Sequence, residues 1–171
     1  ENDGEQVCAL FGTALFREEQ LLTVLEKMDS QTLMWMRGKS GGTLVTENAV
    51  FDVEKVEQTI RATPEGGELH LSLTLKASEN EDGKESLTDE AEAVLKAQCL
   101  SLLQRLQELQ CDAVGFGNYL YRRDHNAWKQ LDKPWPEVFS QYPIEVKITV
   151  NHMIWGRIWS ADGDQALEGN S

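Results

Sequence analysis

A leucine-periodic run that breaks at a Gly-Phe-Gly triplet constrains this chain more than any other feature. Leu95, Cys99, Leu102, Leu106, Leu109 and Ala113 recur at steps of four and three, the spacing of one helix face. The stripe is too short for a coiled coil, so it predicts a helix packed on the domain's own sheet. Gly115 and Gly117 then flank Phe116, where each glycine costs a helix roughly 1 kcal/mol relative to alanine and calls for a packing or backbone reason. Residues 118–124 are expected to resume as helix at a changed angle. Trp128, Trp135 and Phe139 follow, and Pro134 or Pro136 starts another short helix with Asp132 as its expected cap. Ile144, Val146, Ile148 and Val150 then alternate with Glu145, Lys147 and Thr149, as in a half-buried strand.

Upstream, residues 7–16 are apolar at nearly every position and too short to span a bilayer, which predicts a central strand covered on both faces. Glu18 and Glu19 are then expected to open a helix striped by Leu21, Leu22, Val24, Leu25 and Met28. Asp29 or Ser30 caps a second, shorter helix through Met36, which Gly38 ends. Strands occupy residues 43–62, where a phase shift between Val53 and Val56 suggests a bulge. A turn at residues 63–67 leads to the cleanest strand in the sequence, in which Leu69, Leu71, Leu73 and Leu75 alternate with polar residues. Residues 79–85 read as a solvated acidic loop, and Ser86 or Thr88 as the cap of the long helix. The resulting reading is α+β: an antiparallel or mixed sheet of about five strands in the order β-α-α-β-β-β-α-α-β, with the helices largely on one face.

Several of these segments form a familiar set. Asp112-Ala-Val-Gly-Phe-Gly-x-x-Leu-Tyr-Arg-Arg, Trp128-Lys-x-Leu, Trp135-x-x-Val-Phe, and Ile144-x-Val-x-Ile with Gly156 together resemble the C-terminal domain of the Ger(x)C spore-germination lipoproteins. Gly12-Thr-Ala-Leu-Phe-Arg and Leu33-Met-Trp-Met-Arg-Gly-Lys are similar to the opening of that domain. The resemblance places a single such domain at residues 6–160, and the polar residues 161–171 read as a disordered tail. It implies N-terminal domains and a lipid anchor outside this chain, and a position at the outer face of the spore inner membrane. The implied role is that of a non-enzymatic subunit of a nutrient-germinant receptor, beside the integral-membrane A and B subunits.

Charge narrows the partners independently. With 29 acids against 16 bases, a formal charge of -13 repels nucleic-acid phosphates and anionic lipid head groups, so neither is expected as a direct partner. No run of about 18 apolar residues is present to cross a bilayer. The three cysteines are an odd number, and Cys99 and Cys111 on one helix would lie about 18 Å apart, beyond disulfide reach. All three, Cys8 included, are read as reduced.

Catalytic templates find little purchase. His70, His125 and His152 make no metal-ligand spacing with a second His or Cys, and nucleophile-elbow, phosphate-loop and zincin signatures are all missing. No enzymatic activity, metal or cofactor is therefore expected, and Asp124 with His125 reads as a surface pair. Gly115, Phe116, Gly117, Trp128 and Phe139 are expected to be structural. Arg122 and Arg123, a positive spot on an acidic chain, are the candidate partner-binding residues together with Trp135. A soluble solute-binding domain that itself holds the germinant is the alternative, and a hydrolase with an unrecognised carboxylate or histidine site a more remote one.

Overall fold

The computed structural model describes residues 12–78 and 84–156. The first elements are β1 (Thr13–Arg17) and β2 (Gln20–Leu25), an antiparallel pair that forms a two-stranded sheet of its own. This corrects two expectations. The described part of the apolar run does not make a central strand, since Phe16 is 57% exposed and among the described residues β1 pairs with β2 alone. Nor do Glu18 and Glu19 open a helix: they form the hairpin turn, with Glu18 at φ 56, and the segment striped for a helix is β2. Leu21, Leu22, Val24 and Leu25 keep a helical spacing, but the tight turn pairs the segment with β1, and Leu22 is the extra residue where the register shifts. Ser30 locks the open end of the hairpin, its hydroxyl accepting from the Thr13 N–H at 2.8 Å and donating to the Leu25 carbonyl at 2.9 Å.

Helix α1 (Lys27–Met36) follows, with Glu26 at the N-cap in place of the expected Asp29 or Ser30. Asp29 sits in its first turn and pairs with Arg105 at 2.7 Å. Gly38, at φ 69, follows its end.

The main sheet holds β3 (Thr43–Val45), β4 (Val50–Thr63), β5 (Gly66–Ser78) and β6 (Ile144–Gly156) in that spatial order. It is mixed: β3, β4 and β5 pair antiparallel, while β6 runs parallel to β5. A register shift between Val53 and Lys55 supplies the bulge that the phase of the sequence required. On β5, Leu69, Leu71, Leu73 and Leu75 are all buried.

A parallel return needs a crossover, and four helices provide it: α2 (Lys84–Glu108), α3 (Phe116–Arg123), α4 (His125–Lys129) and α5 (Trp135–Phe139). Lys84 and Glu85 belong to α2 rather than to an acidic loop, so Ser86 and Thr88 lie inside the helix and do not cap it. Leu109 and Ala113 fall beyond its end. There Gln110 adopts φ 52, its N–H donates to the Gln107 carbonyl and the Cys111 N–H to that of Leu106, which is a Schellman termination with a non-glycine residue in the left-handed position. Pro134, not Asp132, occupies the N-cap of α5.

Leu33, Trp35 and Met36 of α1, Leu95, Cys99, Leu102 and Leu106 of α2, and Phe116 and Leu120 of α3 join the sheet leucines in one buried cluster. The architecture is α+β, with a second small sheet where a helix was expected. Residues 7–11 with Cys8, the loop at 79–83, the side chains of His152 and Trp155, Trp159, the tail at 161–171 and the domain limits at 6 and 160 lie outside the described residues.

Candidate functional site

The segment between α2 and α3 is organised by one carboxylate. Asp112 Oδ1 accepts from the backbone N–H of Gly115 at 2.8 Å and of Phe116 at 3.1 Å, and Oδ2 accepts from the N–H of Gly117 at 2.7 Å and from the Trp135 indole N–H at 2.9 Å. Three N–H groups that an α-helix leaves without intrahelical partners at its start are thereby satisfied. Gly115 at φ 106 makes the bend. Gly117 permits the approach: a Cβ there would lie 2.4 Å from Trp135 Nε1. Phe116, fully buried, packs against the backbone of Gly67, where a Cβ would come within 2.8 Å of its ring.

An aromatic chain extends from this cradle. Tyr121 meets Trp128 edge-on at 5.7 Å between ring centroids, Trp128 meets Trp135 at 5.6 Å, and Trp135 meets Tyr142 at 5.1 Å and Phe139 at 6.3 Å. Phe139 and Tyr142 are buried, and Trp128 and Trp135 half-buried. Burial pushes the Tyr142 phenol up to about 12, while its hydroxyl donates to the Thr63 carbonyl. Gln107 on α2 ties the far end, its amide donating to the carbonyls of Phe139 at 3.1 Å and Tyr142 at 2.6 Å.

On the outer side of α3 the surface is basic. Arg122 and Arg123 occupy its last turn, both exposed, and neither makes an ion pair with another described residue. They share an open groove of about 870 Å³ with Arg37, Tyr119, Gln58 and Ile60. A second groove of about 430 Å³ lies on the other side of the Asp112 cradle, lined by Phe16, Arg17, Tyr121, Trp128 and Trp135. Trp135, expected beside the arginines, therefore borders the second groove and is held by Asp112.

The other titratable residues stand apart. His70 meets Thr149 at 3.1 Å on the solvent side of the sheet, and the His125 ring stacks edge-on against Tyr121 at 5.0 Å. Asp124 does not orient His125; its carboxylate accepts from the Ala127 N–H at 2.8 Å and caps α4. Burial raises the Cys99 thiol to about 12, and burial with the nearby Asp112 charge raises Cys111. Both cysteines are free. Among the described residues no three His, Cys, Asp or Glu side chains are grouped to hold a metal ion, and no helix is long and apolar enough to cross a membrane.

Sequence reading missed the role of Asp112 and the place of Arg37. Asp112 stands three and five residues before the two glycines, a spacing that lets one carboxylate reach both N–H groups, and that signal was available. Arg37 reaches the groove only because α1 ends over β4, which no local pattern reveals.

The fold is that of a mixed-sheet α+β domain with a small second sheet. Residues 11–152 match the family model described as "Spore germination B3/ GerAC like, C-terminal", and the chain belongs to that family. It is a family of germinant-receptor subunits rather than a known family of enzymes. Among solved structures, the chain is similar to that titled "Crystal Structure of the GerBC protein", with a TM-score of 0.65 at 20% identity, over 79% of this chain and 48% of that one. It thus spans about half the length of that protein, and the likeness is one of fold. No curated protein matches the chain.

Proposed function

We propose that this domain is a non-enzymatic docking module within a lipoprotein subunit of a spore nutrient-germinant receptor, acting in receptor assembly and signalling. The partners in this reading are the integral-membrane A and B subunits. The subunit stands at the outer face of the spore inner membrane, held by an N-terminal lipid outside this chain. One observation carries the reading: on a chain of charge -13, adjacent Arg122 and Arg123 are exposed at a helix end with no ion pair to another described residue. Guanidinium groups held free in this way suit bidentate pairing with carboxylates on a partner. Phe116, Gly117, Trp128 and Phe139 serve this surface from beneath by fixing α3; Tyr119 is the aromatic that lines the groove with the arginines, and Trp135 borders the neighbouring groove.

The test is Arg122→Ala with Arg123→Ala in the full-length protein. Folding should be nearly unaffected, because exposed charges contribute roughly 0–1 kcal/mol. Co-purification of the A and B subunits and nutrient-triggered germination should both fall. Normal germination from spores that contain the doubly substituted subunit at normal level would place the docking surface elsewhere.

A further inference from the structure

The groove beside the arginines runs along an open strand edge. The two-residue hairpin at Thr63 and Gly66 fixes the alternation on β4: Arg61, Thr59 and Glu57 turn their backbone groups toward β5, and Ile60, Gln58 and Val56 turn theirs away. Bonds on the outer side follow that phase. The Val56 N–H donates to Ser40 Oγ at 3.0 Å, and Val53 exchanges bonds with Gly41 and Gly42 at 2.9 Å each. β3 covers only the stretch from Val50 to Asp52. Past Val56, Gly38 lies against Gln58 and the Gln58 side-chain amide donates to the Met36 carbonyl, but among the described residues no hydrogen bond reaches the outward backbone groups of Gln58 or Ile60.

The lining of the groove shows its direction. Gln58 and Ile60 project to one face of the sheet and Thr59 to the other, yet all three line the groove, so it follows the edge of β4 rather than one face. Arg37 closes one end, and Arg122 and Arg123 stand along its helical wall. None of the three arginines has a carboxylate partner among the described residues. Asp112, the one acid among the described residues that line the groove, has both oxygens occupied by the cradle and the Trp135 indole.

We infer that the β4 edge at Gln58 and Ile60 receives an extended, carboxylate-bearing segment of a partner polypeptide as an added strand, with its acidic side chains paired to Arg37, Arg122 and Arg123. The inference rests on the docking reading above and specifies its mode. Backbone bonds along the edge give the segment its register, and the guanidinium groups select its charge. A small anion would use the arginines and leave the strand edge idle, and a nucleic acid would meet the repulsion of the whole chain.

The experiment places the photo-crosslinker p-benzoylphenylalanine at exposed Thr59 in the full-length protein in spores, and sequences the crosslinked peptide. A segment of another receptor chain carrying at least two Asp or Glu is the expected product. Ile60→Pro removes an outward N–H that β5 does not use, a change edge positions tolerate. It should cut the crosslink about tenfold, the worth of a backbone bond, while Ile60→Val preserves it. Crosslinks confined to this protein's own chain, to a segment without acids, or absent from an assembled receptor would each overturn the inference. So would an undiminished crosslink in a folded Ile60→Pro protein. If Arg122→Ala with Arg123→Ala disrupts assembly while Ile60→Pro assembles normally, docking stands and strand addition fails. Should Ile60→Pro not fold, the crosslinked sequence from Thr59 alone decides.

Discussion

The indole N–H of Trp135 donates to Asp112 Oδ2 at 2.9 Å, and through that bond a residue of α5 holds the loop that starts α3. The same oxygen accepts from Gly117 at 2.7 Å, so α3, its two terminal arginines and the aromatic chain share one anchor. Asp112→Asn keeps the shape but turns an amide nitrogen or a weaker oxygen toward donors. Hydrogen bonds to a charged group are worth about 1.5–3 kcal/mol. A loss of about 2 kcal/mol in urea unfolding is expected, with a shift in tryptophan fluorescence before global unfolding. An unchanged unfolding midpoint would show that the backbone holds α3 without the carboxylate.

The two glycines of the triplet should separate by mechanism. At Gly115 a Cβ would meet open space, so Gly115→Ala carries only the left-handed backbone penalty of about 1–2 kcal/mol. At Gly117 the added atom would collide with the Trp135 ring, which sits against the cradle and cannot yield without breaking its bond to Asp112. Gly117→Ala should therefore cost about 2–3 kcal/mol as an overpacked contact and diminish the near-ultraviolet circular dichroism of the tryptophans. Gly115→Ala should leave that signal intact. Equal dichroism in the two variants would refute the assignment.

How much of this was readable beforehand depends on the length and redundancy of each signal. Leu69, Leu71, Leu73 and Leu75 announce a strand because four alternations fit no helix, and the bulge near Val53 shows as a lost beat in a long run. Gln20–Leu25 keeps a helical spacing because Leu22 is an extra residue at the register shift, and the left-handed Glu18 that makes it a strand has no glycine to advertise it. Gln110 hides the end of α2 in the same way: the leucine spacing continues past a non-glycine residue in a glycine conformation. At the candidate site, Arg122 and Arg123 are adjacent in sequence and could be picked out together. Arg37, Gln58 and Ile60 join them only through the packing of α1 and α3 on β4.

Cys99 gives the domain an alkaline limit. Burial raises its thiol from an ordinary 9.0 to about 12, so the folded form keeps a proton that the unfolded chain releases above pH 9. Stability from this residue is complete below pH 9 and declines as pH rises toward 12, because the unfolded state then binds fewer protons. Cys99→Ala should cost about 1 kcal/mol at pH 7 for the lost packing. By pH 10.5 the comparison should have moved in favour of the variant by about 2 kcal/mol, 1.5 units at 1.36 kcal/mol each. Paired urea titrations at the two pH values measure the difference, and a constant gap would mean that the thiol is not desolvated in the folded state.

Gln107 joins the long helix to the aromatic chain, and it does so with one nitrogen. Its amide has two protons, and the carbonyls of Phe139 and Tyr142 take one each, at 3.1 and 2.6 Å. The Phe139 carbonyl also accepts from the Tyr142 N–H at 3.1 Å, and Gln107 is the described side chain that ties both carbonyls to α2. Gln107→Ala removes both donors; the Phe139 carbonyl keeps the Tyr142 N–H, so the loss falls on the Tyr142 carbonyl and should destabilise by about 1–2 kcal/mol, the scale for one part-buried acceptor left unpaired. Gln107→Glu is the more telling change. At pH 7 it aims a carboxylate at two carbonyl oxygens and should be worse than alanine, whereas the protonated carboxyl can donate one of the two bonds. The introduced group is thus held above its ordinary range in the folded state, and its stabilising, protonated form is present at low pH and lost as pH rises through that raised value. Measured against wild type, Gln107→Glu should recover stability as pH falls from 7 to 4 and overtake Gln107→Ala. A variant as stable as wild type at pH 7 would show that the two carbonyls find other partners and that Gln107 does not fasten α5 to α2.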